Sequence, residues 1–179
     1  MILLTSPEFI KSVTNISDNM QDKFINTAIR EAQQMDLQQV IGSRLLNKLC
    51  DLVASAEINL TGNTYYKELI ETAQWYLAYD AIQRLVIISG VHLDNMGPNK
   101  GSDEHNNTLD LGDAFKIEEY YQKKADFYCR RVQEYCLANR TYLPELTSTK
   151  VNEMKACLNS AASTNIFLGG ARGKFIRKA

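Results

Sequence analysis

Residues 65–89 read YYKELIETAQWYLAYDAIQRLVIIS. One row at three- and four-residue spacing holds Tyr66, Leu69, Ala73, Leu77, Ala81, Leu85 and Ile88. A second row holds Trp75, Tyr79, Ile82 and Val86. Both recur with the period of a helix, not of a strand. A helix that is apolar on most sides belongs inside a bundle. The stretch therefore predicts an all-α fold: a bundle of four or five helices round one central helix. Asp80 and Arg84 stand four apart and can pair along it. These charges, with Gln83, leave residues 75–88 too short and too polar to span a bilayer.

Upstream, Ser6-Pro7-Glu8 is a helix start: a hydroxyl cap, a proline at the first helical position, then an acid near the positive end. The helix should run to Val13. Asn15-Ile-Ser17-Asp18 reads as a second cap. Phe24, Ile25, Ala28, Ile29 and Ala32 then form one apolar face of a helix to about Met35. Leu37, Val40 and Ile41 make a short turn that Gly42 ends. Ser43 is placed to cap the next helix, whose stripe is Leu45, Leu46, Leu49, Leu52 and Val53. Residues 59–63 read as a loop.

Downstream, residues 90–112 are a different material, with four glycines, Pro98, four asparagines and a net charge of −3. Such a stretch is too long for a plain connector, so a protruding functional loop or β-hairpin is expected. Val91-His-Leu and Thr108-Leu-Asp-Leu are candidates for its arms. Asp113 should cap a last long helix to about Asn139, with Ile117, Tyr121, Ala125, Tyr128, Val132 and Tyr135 on its apolar face. Glu119/Lys123, Asp126/Arg130 and Arg130/Glu134 lie at i,i+4 on the wet face, each worth ~0.2–0.5 kcal/mol. Leu143-Pro144 stops it. A short helix over 150–158 then precedes the tail.

Charge is unevenly distributed. Residues 154–179 carry five basic side chains and no acidic one, while residues 1–153 hold fifteen basic against 21 acidic. An acidic helical body thus ends in a basic, glycine-broken arm that cannot bury itself. The division is a helical domain over 1–145 and a linker with an extended arm over 146–179. In the arm Ile166, Phe167, Leu168 and Phe175 are apolar anchors that a merely solvated tail would not need. Gly169, Gly170 and Gly173 permit close backbone approach. Arg172, Lys174, Arg177 and Lys178 are expected to face acidic groups of a partner, neighbouring acidic loops or DNA. Asp94, Asn95, Lys100, Asp103 and Glu104 are the loop residues expected between subunits. The asymmetry favours an assembly part over a self-contained enzyme.

No chemistry-bearing motif competes with that reading. Met1-Ile-Leu-Leu-Thr-Ser-Pro7 lacks a basic start and has too short an apolar run for a signal peptide, so cytoplasmic synthesis is expected. Cys50, Cys129, Cys136 and Cys157 have no CxxC spacing and read as reduced thiols. Cys129 and Cys136 share a helix face with Tyr128 and Tyr135, where core packing outweighs zinc ligation. His92 and His105 share the acidic loop, but no metal-ligand spacing accompanies them. Gly173-Lys174 is followed by Phe175, not Ser or Thr, and the glycine a phosphate loop needs five positions earlier is Leu168. The register Tyr121, Tyr128, Tyr135, Tyr142 is read as core or subunit packing rather than a binding stripe. No cofactor, metal or catalytic residue is assigned.

Three stretches carry a family likeness. The first is Phe24-Ile-Asn-Thr-Ala-Ile-Arg-Glu-Ala with Leu37-Gln-Gln-Val-Ile-Gly-Ser-Arg-Leu. The second is Asn99-Lys-Gly-Ser-Asp with Ile117-Glu-Glu-Tyr-Tyr-Gln-Lys-Lys-Ala-Asp-Phe-Tyr-Cys-Arg-Arg. The third is Ile166-Phe-Leu-Gly-Gly-Ala-Arg-Gly-Lys. The layout resembles the head–tail connector (head completion, adaptor) proteins of tailed bacteriophages, those of phages infecting Bacteroidetes and the crAss-like group among them. Residues 146–164 carry none of the likeness. The resemblance implies helical bundles side by side in a ring of about twelve copies. That ring would lie between portal and tail in the virion neck, around the DNA channel. Its implied partners are the portal protein, the next tail or ring protein and, non-specifically, packaged DNA; no membrane and no catalysis are implied. The rival expectation is a small helical accessory protein that binds nucleic acid through its basic arm, with steep salt dependence.

Overall fold

A computed structural model describes residues 2–90, 92–94, 97–99, 111–147 and 154–158. The chain is an all-α bundle, as expected. Its helices are α1 (Pro7–Val13), α2 (Asp22–Glu31), α3 (Gln38–Ile41), α4 (Ser43–Ala54), α5 (Thr64–Gly90) and α6 (Leu111–Ala138). α3 is a single turn, and the five longer helices match the expected number. A π-helical stretch, Ala32–Leu37, joins α2 to α3.

The central helix is α5. Leu69, Ala73, Leu77, Ala81 and Leu85 are all buried, as are Tyr79 and Ile82 of the second row. α6 packs along it, and α2 packs on another side. Trp75 departs from expectation: it stays 36% exposed at the rim between α5 and α6. Val132, Ala125 and Cys136 of α6 complete the core, which continues through Ile25, Ile29, Leu37, Ile41, Leu45 and Leu49.

Ser6 caps α1 as read, its hydroxyl accepting from Phe9 N at 3.3 Å. The next start is later than expected, because α2 begins at Asp22 while Ser17 only accepts from Asn19 N within the preceding turn. Phe24 lies on the outer side of α2 and is exposed. The π-helical stretch takes the place of the last turn expected before Met35. It points Gln33 fully inward, where the side chain is satisfied on both ends. Its Oε1 accepts from Leu4 N at 2.9 Å and its Nε2 donates to Ile2 O at 3.0 Å. Gln74 Nε2 donates to Leu4 O at 3.0 Å. Buried amides require such partners, so Gln33 and Gln74 fasten the N-terminal strap to the core.

Ser43 is the first residue of α4, not its cap. Its hydroxyl instead accepts from Gln38 Nε2 at 2.7 Å and from Met154 N at 3.2 Å. Residues 154–158 are not helical and lie across the α3–α4 corner. Ser43 N donates to Met154 O at 3.0 Å, and Cys157 N donates to the carbonyls of Gln39 and Val40, each at 3.1 Å. Gln133 Nε2 of α6 donates to Cys157 O at 3.1 Å. Gly42 lies beneath this strap at φ +83°, and a Cβ there would meet Ala156 N and Met154 O at 3.0 Å. So the first part of the expected arm is seated on the body.

The expected loop holds a tight hairpin, β1 (His92–Asp94) paired antiparallel with β2 (Gly97–Asn99), His92 opposite Asn99. Its second arm is therefore not the Thr108 stretch. α6 begins at Leu111, ahead of Asp113, and ends at Ala138. Pro144–Thr147 form a 3-10 turn after the fully buried Leu143.

Candidate functional site

The rim between α5 and α6 carries a continuous wall of aromatic rings. The helical period sets it up: Trp75 and Tyr79 are four apart on α5, and Tyr121, Tyr128 and Tyr135 are seven apart on α6. Trp75 stacks with Tyr128 at 5.7 Å between centroids, and Tyr79 stacks with Tyr128 at 5.4 Å and Tyr121 at 6.5 Å. Phe9 of α1 meets Trp75 edge-on at 5.5 Å, and Tyr120 meets Tyr121 edge-on at 5.3 Å. Each pair contributes ~0.5–1.5 kcal/mol beyond its buried area.

Two of the chain's own cations use this wall. Lys124 Nζ stands 4.5 Å from the Tyr120 ring centre, 5.1 Å from Tyr79 and 5.7 Å from Tyr121. Arg131 stands 5.9 Å over Tyr128. Hydrogen bonding to Tyr120 raises the Lys124 ammonium above its ordinary pKa. Aromatic faces attract cations by ~0.5–1 kcal/mol each at exposed sites.

Beside the wall opens a cavity of about 350 Å³, lined by Glu68, Glu71, Thr72, Trp75, Tyr128, Arg131 and Tyr135. It lies at the small end of ligand cavities, ~300–1,000 Å³. The Tyr135 hydroxyl lies 2.9 Å from Glu68 Oε2 and 3.0 Å from Tyr65 O, both acceptors for its proton. Burial, then the Glu68 hydrogen bond, holds that phenol well above its ordinary pKa. Tyr142 continues the register by stacking on Tyr65 at 4.1 Å. The tyrosine series is thus partly packing and partly exposed surface. Ile117, Tyr120, Phe127 and Phe115 add apolar area on the outer side of α6, including Ile117, which sequence periodicity had assigned to the apolar face.

A second cluster sits at the opposite edge of α5. Arg84 Nε lies 3.4 Å from Asp80 Oδ2, and Arg84 also pairs with Asp36 of the π-helical stretch and with Glu31 at 3.8 Å. The expected Asp80/Arg84 pair is present, and the π-helical stretch adds Asp36. Burial, then the neighbouring Asp36 carboxylate, pushes the Asp80 carboxyl up to about 7, against the pull of Arg84. Asp80 is the buried member of this ion network, while Arg84, Asp36 and Glu31 reach towards the surface.

The cysteines follow the packing reading. Burial pushes the thiols of Cys129 and Cys136 up to about 12, so neither is a ready thiolate. Glu119 and Lys123 pair at 2.8 Å, while Arg130 Nε donates to the Asp126 carbonyl rather than its carboxylate, at 3.4 Å. Among the described residues no three His, Cys, Asp or Glu are placed to hold a metal ion, and no helix is long and apolar enough to cross a membrane. Of the loop residues named from sequence, Asp94 lies at the end of β1, while Asn95, Lys100, Asp103 and Glu104 lie outside the described residues, as does His105. The arm residues Ile166, Phe167, Leu168, Gly169, Gly170, Arg172, Gly173, Lys174, Phe175, Arg177 and Lys178 lie outside them too. The rim of the wall was missed. Its signal was the pairing of the Trp75/Tyr79 spacing with the Tyr121/Tyr128/Tyr135 spacing, with Lys124 and Arg131 between those tyrosines.

The chain belongs to DUF6712, a family of unknown function, whose model matches residues 37–155. That span covers α3 to α6 and both sides of the cavity, and ends within the seated strap. No curated protein and no solved structure matches the chain.

Proposed function

We propose that this chain is a structural virion protein, a head–tail connector that forms a ring between portal and tail around the DNA channel. The observation that carries the proposal is the half-buried aromatic wall on the α5–α6 rim, whose exposed members, Trp75, Tyr120 and Phe127, suit burial against another chain. A contiguous apolar rim bounded by charge marks protein contact surfaces. The division into an acidic body and a basic arm supports the same reading, because it supplies complementary parts within one chain. The resemblance to phage connector proteins supplies the setting.

Assembly is by docking, without chemistry. The wall of one subunit is covered by a neighbour, the residue 90–112 hairpin region reaches between subunits, and the arm carries Ile166, Phe167, Leu168 and Phe175 to a partner. Packaged DNA would pass through the ring without base-specific contact. Disrupting the gene in its parent virus should leave filled heads and separate tails. Fully tailed, infectious particles would remove the assignment. A nucleic-acid accessory protein would instead leave particle joining intact, and its DNA binding would fall steeply with salt.

A further inference from the structure

We infer that the cavity on the α5–α6 rim is the receptor for the basic C-terminal arm, residues 164–179, of a second copy of this chain. The inference rests on the reading of the chain as an assembly subunit and names the contact that links one subunit to the next.

Three observations carry it. The first is charge. The cavity mouth presents the exposed carboxylates Glu68 and Glu71. Residues 159–179 contain Arg172, Lys174, Arg177 and Lys178 and no acid. The second is the chemistry of the wall, where tyrosine faces already hold Lys124 and Arg131 at 4.5 and 5.9 Å. A segment alternating cations with Phe167 and Phe175 offers the side chains such a wall accepts: a ring to fill the cavity beside Trp75, and cations for the carboxylates and ring faces. The third is the direction in which the chain leaves the body. Cys157 is fixed to Gln133 of α6 and to the α3–α4 corner. Gln133 is two residues from Arg131, hence roughly 200° round the same helix from the cavity. The arm therefore departs from the side of α6 that faces away from its own cavity.

A donor on one side and a receptor on the other make a head-to-tail contact. Such a contact closes into a ring or runs on as a filament. The 21 residues after Leu158 span at most ~70 Å when extended, ample to cross to an adjacent subunit.

The chain has one tryptophan, Trp75, and it lines the cavity, so its emission reports occupancy directly. The probe is a synthetic peptide of residues 164–179 titrated into protein ending at Ser163. A saturable change in Trp75 emission is expected, weakening as salt is raised. Glu71→Lys combined with Glu68→Gln should weaken peptide binding at least tenfold. Gln at 68 keeps an acceptor for Tyr135, and an unchanged circular dichroism spectrum and melting temperature would show that the fold is kept. In the full chain the same pair of substitutions should abolish concentration-dependent self-association measured by sedimentation. Absence of any emission change up to millimolar peptide, or equal binding by the substituted protein, overturns the contact. If rings still form in that case, the connector reading survives without it. A full chain that stays monomeric, with Trp75 emission changed by removal of its own arm, would place the arm in its own cavity and overturn the contact between copies.

Discussion

Asp80 is a carboxyl held away from water beside a second carboxyl, Asp36, with Arg84 shared between them. Burial raises its pKa from 3.8 to about 7, so the folded chain keeps a proton there that the unfolded chain releases. Stability from this group is complete below the unfolded pKa and is lost as pH rises through the folded one. Between pH 3.8 and about 7 its contribution should therefore fall. Asp80→Asn should flatten that part of the profile, read as denaturation midpoints across the window; a slope equal to wild type would contradict it. Gly42 makes a different demand. Its φ of +83° and ψ of 156° fall in a region that essentially only glycine occupies, and the strap at Met154 and Ala156 leaves no room for a Cβ. Gly42→Ala should cost about 1–3 kcal/mol and release residues 154–158, seen as faster amide exchange at Cys157. At this scale the sequence was half legible. The i,i+4 spacing gave Asp80 with Arg84, and helix punctuation gave Gly42. Asp36 and the strap were not readable, because both contacts join residues far apart in the chain.

The decisive element is α5, whose two apolar rows lie between α2 and α6. Leu77 is fully buried at its middle. Leu77→Ala should cost roughly 2–5 kcal/mol, the range for truncating a packed core side chain. A loss below about 0.5 kcal/mol in chemical denaturation would be that of a surface site and would show that α5 is not central. The rows were legible because burial on several sides leaves a helical period that no strand or loop imitates. Elsewhere local rules lost to tertiary ones. The π-helical stretch Ala32–Leu37 arises where Gln33 must turn inward to hold the Leu4 strap, and periodicity alone cannot register such an extra residue in a turn. Trp75 sat in an apolar row yet remains at the rim, where Tyr128 of α6 stacks on it and leaves it 36% exposed. Ser17 and Ser43 had cap chemistry but spent their hydroxyls on a turn and on the seated strap.

For the whole molecule, the question is where the aromatic wall and the basic arm go. On the proposed reading the aromatic rim is covered by a neighbour, and the arm, with four cations among residues 172–178, meets an acidic or phosphate-bearing host. Truncation after Thr164 should leave the denaturation midpoint unchanged, because it keeps the seated residues 154–158. The same truncation should prevent joining to neighbours. Replacing Arg172, Lys174, Arg177 and Lys178 by Ser should weaken attachment less than removing Ile166, Phe167 and Leu168, because buried apolar groups outweigh screened surface charges. The charge division that suggested assembly was plain in composition; the proposed receiving surface was not, since the cavity forms only once α5 and α6 are side by side. The most direct measurement is the native mass of the purified 20.3 kDa chain, alone and mixed with the portal protein of the same particle, over a range of concentrations. A connector subunit gives one discrete closed ring, about twelve copies, formed alone or on the portal. A monomer at every concentration, with and without portal, would contradict it.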